Sequence, residues 1–486
     1  MQYWYIVFFG YSLQNQPLKI HVHRPDMHLI VCSMCALCVI NMAPIAQAAS
    51  AQNAPISQTK ISAMLGIINF SYLNHAHTAQ DTHSFALGGH LYLHSPALAG
   101  FSLGIGGDFA TWTGIYLHAD PELTGPYPSH GIAALRQAYL QYSHGPLVIR
   151  GGRQWINTPY ASMDYYTFNP RAFTGVSVVV NVMGHSDENP WMGNGPLEIK
   201  DSLASLSFFA SRMYSYESRF SSAFTAANRY TNKRNNGFYT LGARYQVHSL
   251  GNHFSVQGWY YNFYGFANMF YGQADITRPL GKNLAAFGGF QVVSEGNSGA
   301  GQSYLAPLNT SSVDAHVYGG KIGLQFGHER DLVSLVADYS PVSYNSFRHG
   351  GMIHPYNDLS GTMYTTTMQT GISDYGPGYA YGITSKFGFM DNELHLNADL
   401  IRYLVHYGYG GSVYTYNGAY GFPKGTAVPN QRLWSVDIGF SYRLSHVLKG
   451  LYLADYTDIS IAQNKVRYPQ YHNPYFSNRF YFKYRF

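Results

Sequence analysis

The chain has 486 residues, of which 46% are hydrophobic and only 11% charged, and its formal net charge is +5. So weak a positive charge, spread singly along the chain, gives no sign of a nucleic-acid binder, and a mean hydropathy of −0.17 excludes a bundle of membrane helices. Beyond residue 50 no apolar run reaches the roughly 20 residues that a spanning helix needs.

The first element in chain order is the apolar stretch His28 to Ile45, followed by Ala46-Gln47-Ala48. A short apolar core behind Lys19 and Arg24, closing on a small-x-small site, reads as a secretory signal peptide over 1–48. Met27 is an alternative start. An anchoring helix is disfavoured by Asn41 and Pro44. All 3 cysteines, Cys32, Cys35 and Cys38, fall inside this stretch, so the exported chain carries none. Their C-x-x-C spacing is then incidental, and no lipobox precedes them. A short polar segment, 49–60, leads into one domain, 61–486.

From Tyr239 onward one pattern repeats. Tyr239, Leu241, Ala243 and Tyr245 alternate with Thr240, Gly242, Arg244 and Gln246. Tyr318, Ile322 and Leu324 alternate with Lys321 and Gln325; Tyr379, Tyr381 and Ile383 with Thr384 and Lys386; Leu394, Leu396 and Leu400 with His395, Asn397 and Asp399; Trp434, Val436 and Ile438 with Ser435, Asp437 and Arg443. Period two is the signature of a strand, and about ten residues suit a tilted membrane strand. The polar parity carries charges where a closed core would need apolar filling; in a barrel those groups need only water. The last strand repeats the theme. Phe480, Phe482, Tyr484 and Phe486 share one face, and Arg479, Tyr481, Lys483 and Arg485 the other.

Short turns at 248–252, 327–331 and 390–393 alternate with longer stretches at roughly 156–200, 213–236, 264–282, 295–315, 341–377 and 406–431. Short periplasmic turns and long extracellular loops are the asymmetry of an outer-membrane barrel. The expected fold is therefore an all-β transmembrane antiparallel barrel of 16 to 18 strands.

Residues 138–176 are more specific. They contain Gly152-Arg153-Gln154, Thr158-Pro159, Asn169-Pro170, Phe173 and Gly175, and Asp374-Tyr375-Gly376-Pro377-Gly378-Tyr379-Ala380 follows later. These segments resemble the OprD-type substrate-specific porins. The resemblance implies an 18-stranded outer-membrane barrel, monomeric or a loose homotrimer. Inward loops would narrow its pore, and lumenal basic residues would guide carboxylates of amino acids, peptides or organic acids. The end at Phe486 resembles the recognition signal read by the barrel-assembly machinery. Outer-membrane lipid and lipopolysaccharide are the expected surroundings.

A basic lining also follows from physics, because a carboxylate stripped of water in a narrow pore is resolvated by charge-assisted hydrogen bonds. Lumen-parity cations are Arg244, Lys321, Lys386, Arg443, Lys483 and Arg485; lumen-parity acids are Asp338, Asp399 and Asp437. Arg150 and Arg153 differ in parity. Either a bulge near Gly151-Gly152 brings both inward, or Arg153 lies in the following loop, the reading the dense turn formers favour. Arg136, Arg153, Arg171 and Asp164 are then the candidates for the constriction. Scattered histidines lack a ligand spacing, so no metal and no cofactor is expected. No G-x-S-x-G or comparable framed nucleophile supports catalysis. An outer-membrane hydrolase and a hydrophobe transporter are the alternatives to a diffusion pore.

Overall fold

The computed structural model describes residues 59–73, 82–112, 131–163, 166–184, 190–192, 204–219, 221–226, 237–249, 251–265, 267–298, 312–327, 331–343, 346, 350–352, 363–368, 370–405, 431–462 and 474–486. The expected signal peptide over 1–48 lies outside them.

Eighteen long strands carry the fold. They are β1 (Lys60–Leu73), β2 (Thr82–His94), β3 (Phe101–Trp112), β4 (Ile132–His144), β5 (Leu147–Gln154), β6 (Ala172–Met183), β7 (Ala204–Glu217), β8 (Phe238–Ser249) and β9 (Asn252–Phe263). The second half comprises β10 (Ala267–Gly281), β11 (Leu284–Asn297), β12 (Asp314–Phe326), β13 (Asp331–Ser340), β14 (Gly378–Phe389), β15 (Leu394–Val405), β16 (Gln431–Arg443), β17 (Leu451–Ala462) and β18 (Tyr475–Arg485). Each pairs antiparallel with its chain neighbours, and β1 pairs with β18 from Met64↔Arg485 to Leu73↔Phe476, so the sheet closes on itself. Closure removes the free edges that an open sheet would expose.

Parity behaves as the alternation predicts. Leu241, Ile322, Leu335 and Ile438 on one parity are 51–65% exposed, forming a greasy outer wall. Thr240, Val336, Asp437 and Ser477 on the other are buried inside. The turn at 390–393 is tight: Met390, Asp391 and Asn392 all have positive φ, 52 to 65°, a conformation Asn and Asp tolerate.

Two expected loops are corrected. The stretch 156–200 is broken by β6 and the stretch 264–282 by β10. The expected loop start at 213 is also too early, because β7 runs to Glu217. Toward the loop ends of β6 and β10 the inward residues include Phe173, Met269 and Tyr271, all buried and apolar. Inward loops pack against this part of the wall, so polar parity shows only lower down, at Ser177 of β6 and at Gln273 and Asp275 of β10. The largest buried cluster lies inside the barrel, where Ile156 and Tyr160 of the β5–β6 loop meet Phe209, Met213, Phe238, Trp259, Tyr261 and Tyr271 of the wall.

Candidate functional site

Two loops fold into the lumen. The β5–β6 loop turns back on itself: Met163 N donates to Ile156 O at 2.8 Å, and Arg171 N to Met163 O at 2.8 Å. Tyr160 packs edge-on against Tyr261 and Tyr271. Tyr166 stacks on Phe70, and two guanidiniums approach its ring, Arg219 at 4.0 Å and Arg479 at 4.7 Å from the centre. Cations over aromatic rings attract them electrostatically and help hold this ring in place.

The β13–β14 loop is fastened by wall carboxylates. Thr365 N donates to Asp338 Oδ2 at 2.8 Å, and Met368 N to Asp437 Oδ2 at 2.6 Å. Tyr364 OH reaches Asp275 Oδ1 at 3.2 Å, and Tyr403 OH donates to Thr370 O at 2.9 Å. Charge-assisted bonds to backbone N–H groups are strong for their length, so this loop is positioned from four strands at once.

Between the loops lies a cavity of about 220 Å³ lined by Tyr166, Met368, Asn397, Asp437, Tyr456, Arg479 and Tyr481. Its charges come from β16 and β18, which flank β17. Asp399, Asp437 and Asp458 stand in one register row across β15, β16 and β17. Arg479, Lys483 and Arg485 descend the lumenal face of β18. A solute in this cavity meets the Arg479 guanidinium and the Asp437 carboxylate.

A third element enters from the turn side. The β6–β7 connection carries a short 3-10 turn, Pro190–Met192. Trp191 packs edge-on against Trp259 and Phe209, while Arg150 Nη1 donates to Met192 O at 2.8 Å. The lumen is thus narrowed from both ends of the barrel, and Trp191 fills the space below the β5–β6 loop. Trp191→Leu is expected to cost about 2 kcal/mol by leaving a cavity and to raise single-channel conductance. Denaturant unfolding and bilayer recording check the two effects.

The predicted site residues separate into three groups. Lys386, Arg443 and Arg485 point into the lumen and are exposed. Arg244, Lys321, Asp338, Asp399, Asp437 and Lys483 also face inward, but most serve the wall. Lys321 Nζ lies 2.8 Å from Asp275 Oδ1 and over the Tyr364 ring; Asp338 and Asp437 hold the loop. Arg244 begins a register row of amides, Gln257, Gln273 and Gln291.

The constriction candidates need correction. Arg136 is not in a loop. It is the extra residue of a bulge in β4, opposite Gly106 and Gly107, fully buried, with Asp108 at 3.2 Å and Glu217 at 3.3 Å. Arg150 is inward but enclosed, donating to Gln141 Oε1 at 2.7 and 3.0 Å and stacking on Tyr139. Arg153 lies within β5, not in the loop. Its register with Ala138 and Thr174 runs unbroken, so no bulge turns it inward; it packs outside on Phe224. The preceding Gly152 has φ +125° and leaves only 2.4 Å between an added Cβ and Ala138 O, which explains the glycine. Arg171 is buried at the loop's end, and Asp164 lies outside the described residues.

Four residues escaped the sequence reading. Arg479 shares the lumenal parity of Lys483. Arg219 follows β7 inside an expected loop. Asp275 falls within another expected loop, and Asp458 within β17, outside the expected strands.

No family model matches the chain, and no curated protein matches its sequence. Solved structures do. Pseudomonas aeruginosa OpdK with vanillate aligns at 12% identity and TM-score 0.63, over 88% of this chain and 98% of that one. A BenF-like porin from Pseudomonas fluorescens Pf-5 aligns at 12% and 0.67, over 89% and 100%. Pseudomonas aeruginosa OccK2 (OpdF) in complex with glucuronate aligns at 10% and 0.63, over 88% and 98%. At such identities the likeness establishes the fold: this chain is an 18-stranded barrel of the outer-membrane porin type.

Proposed function

We propose that this barrel lies in a bacterial outer membrane and lets small hydrophilic solutes diffuse through it, with a preference for those bearing a carboxylate. The observation that carries this reading is the cavity between the two inward loops, where Arg479 borders the space and Asp437 faces it. A carboxylate leaving water is compensated by the guanidinium. An ammonium on the same solute is compensated by Asp437, which favours zwitterions such as amino acids and short peptides. Below the cavity, Lys483 and Arg485 on β18 and the exposed Lys386 and Arg443 offer successive weak sites. Several such sites let a solute leave as readily as it enters.

Vanillate and glucuronate, the ligands of two structures with this fold, are both carboxylates and support the same class. The greasy outer wall fits a lipid setting, and the aromatic β18 ending at Phe486 fits recognition by the barrel-assembly machinery. Nothing in the geometry of the described residues favours the hydrolase or hydrophobe-transporter alternatives. The test is swelling of proteoliposomes in isotonic solutes. Gluconate is expected to enter faster than neutral sugars of equal size; equal rates would remove the carboxylate preference, and no swelling would remove the pore.

A further inference from the structure

The outer wall carries few charges, and two of them stand side by side near the loop end of β15 and β16. Arg402 lies directly across from Trp434, and Arg432 directly across from Leu404, so the two arginines are diagonal neighbours on the outward parity. Diagonal positions are roughly 7–8 Å apart, within reach of one tetrahedral anion. Arg402 rests over the Trp434 ring at 4.8 Å, and Arg432 is exposed. Among the described residues neither has a carboxylate partner; the outward neighbours are Tyr381, Leu400, Leu404, Val436 and Ile461.

The level of this pair is fixed by its neighbours. Tyr318, Tyr339, Tyr379 and Tyr381 on adjoining strands are 41–48% exposed on the same face, toward the same loop end. Tyrosine and tryptophan collect where hydrocarbon gives way to headgroups. Two guanidiniums held there cannot face acyl chains at tolerable cost; they fit phosphate oxygens, which a forked donor binds in pairs.

We infer that Arg402 and Arg432, with Trp434 beneath them, form a binding site for the phosphate of a lipid headgroup in the leaflet on the loop side. This rests on the proposed membrane setting. The indole holds the Arg402 plane outward, and the phosphate replaces the missing acidic partner.

The test is native mass spectrometry of the purified protein in detergent, with phosphorylated lipid A or the same lipid stripped of its phosphates. Wild-type protein is expected to retain the phosphorylated lipid and release the stripped one. In R402Q/R432Q that retention is expected to fall by about tenfold. Bilayer conductance of the double variant should match wild type, since neither residue lines the lumen; that recording separates failure of this site from failure of the pore reading. Equal retention of both lipids, or undiminished retention by the double variant, would overturn the inference. So would displacement of the lipid by millimolar inorganic phosphate, which would make the site one for free anions.

Discussion

Replacing Arg136 with alanine is expected to cost the barrel about 3–5 kcal/mol, the penalty of leaving buried charges without their partner. Its guanidinium lies between Asp108 and Glu217 with no solvent exposure on any of the three, and Nη1 also donates to Ser218 O at 2.8 Å. The three side chains tie β3, β4 and the loop end of β7 together across the lumen. Removal strands two carboxylates that no water reaches. The loss is expected as a lower unfolding midpoint in denaturant and as earlier loss of the compact band when the protein is heated in SDS. Combining Arg136→Met with Asp108→Asn and Glu217→Gln should recover most of it, because a neutral cluster carries no stranded charge. A wild-type midpoint for Arg136→Ala would mean that the cluster is hydrated.

The second large effect concerns transport. Arg479→Gln is expected to slow carboxylate entry by about tenfold in the swelling assay, the lower range for one charge-assisted hydrogen bond in a wet lumen. Neutral sugars should enter at an unchanged or higher rate. Arg479 also packs on the Tyr166 ring together with Arg219, so conductance noise should rise as the ring loosens. Asp437→Asn provides the opposite sign: zwitterion entry should fall and simple anion entry should rise. An equal slowing of every solute by Arg479→Gln would assign the residue to wall packing alone.

The fold was legible wherever the lumenal face is wet. In β8, β12, β14, β15, β16 and β18 polar side chains meet water, so sequence alternation and structural parity coincide. It failed where the lumenal face is dry. Beneath the inward loops the wall turns apolar, with Met269 and Tyr271 in β10 and Phe173 and Val179 in β6, and both faces then look alike in sequence. The site was less legible for a related reason. Parity places a charge in the lumen but not its partner, so Arg136 and Lys321 looked free until Asp108 and Asp275 were seen beside them. Arg153 stood out in a motif whose glycine serves backbone packing, and its outward direction follows from a register that depends on β6, a strand not recognised.

The most direct measurement uses the lack of cysteine after residue 48. In the chain from residue 49 onward, Met368→Cys puts a single thiol on the β13–β14 loop at the edge of the cavity bordered by Arg479 and Tyr166. Adding a bulky methanethiosulfonate to open channels in a planar bilayer should then abolish most of the current in one irreversible step, while the unsubstituted protein is unaffected. Complete thiol modification with the current unchanged would place the route of permeation elsewhere and contradict the passage described between the two inward loops.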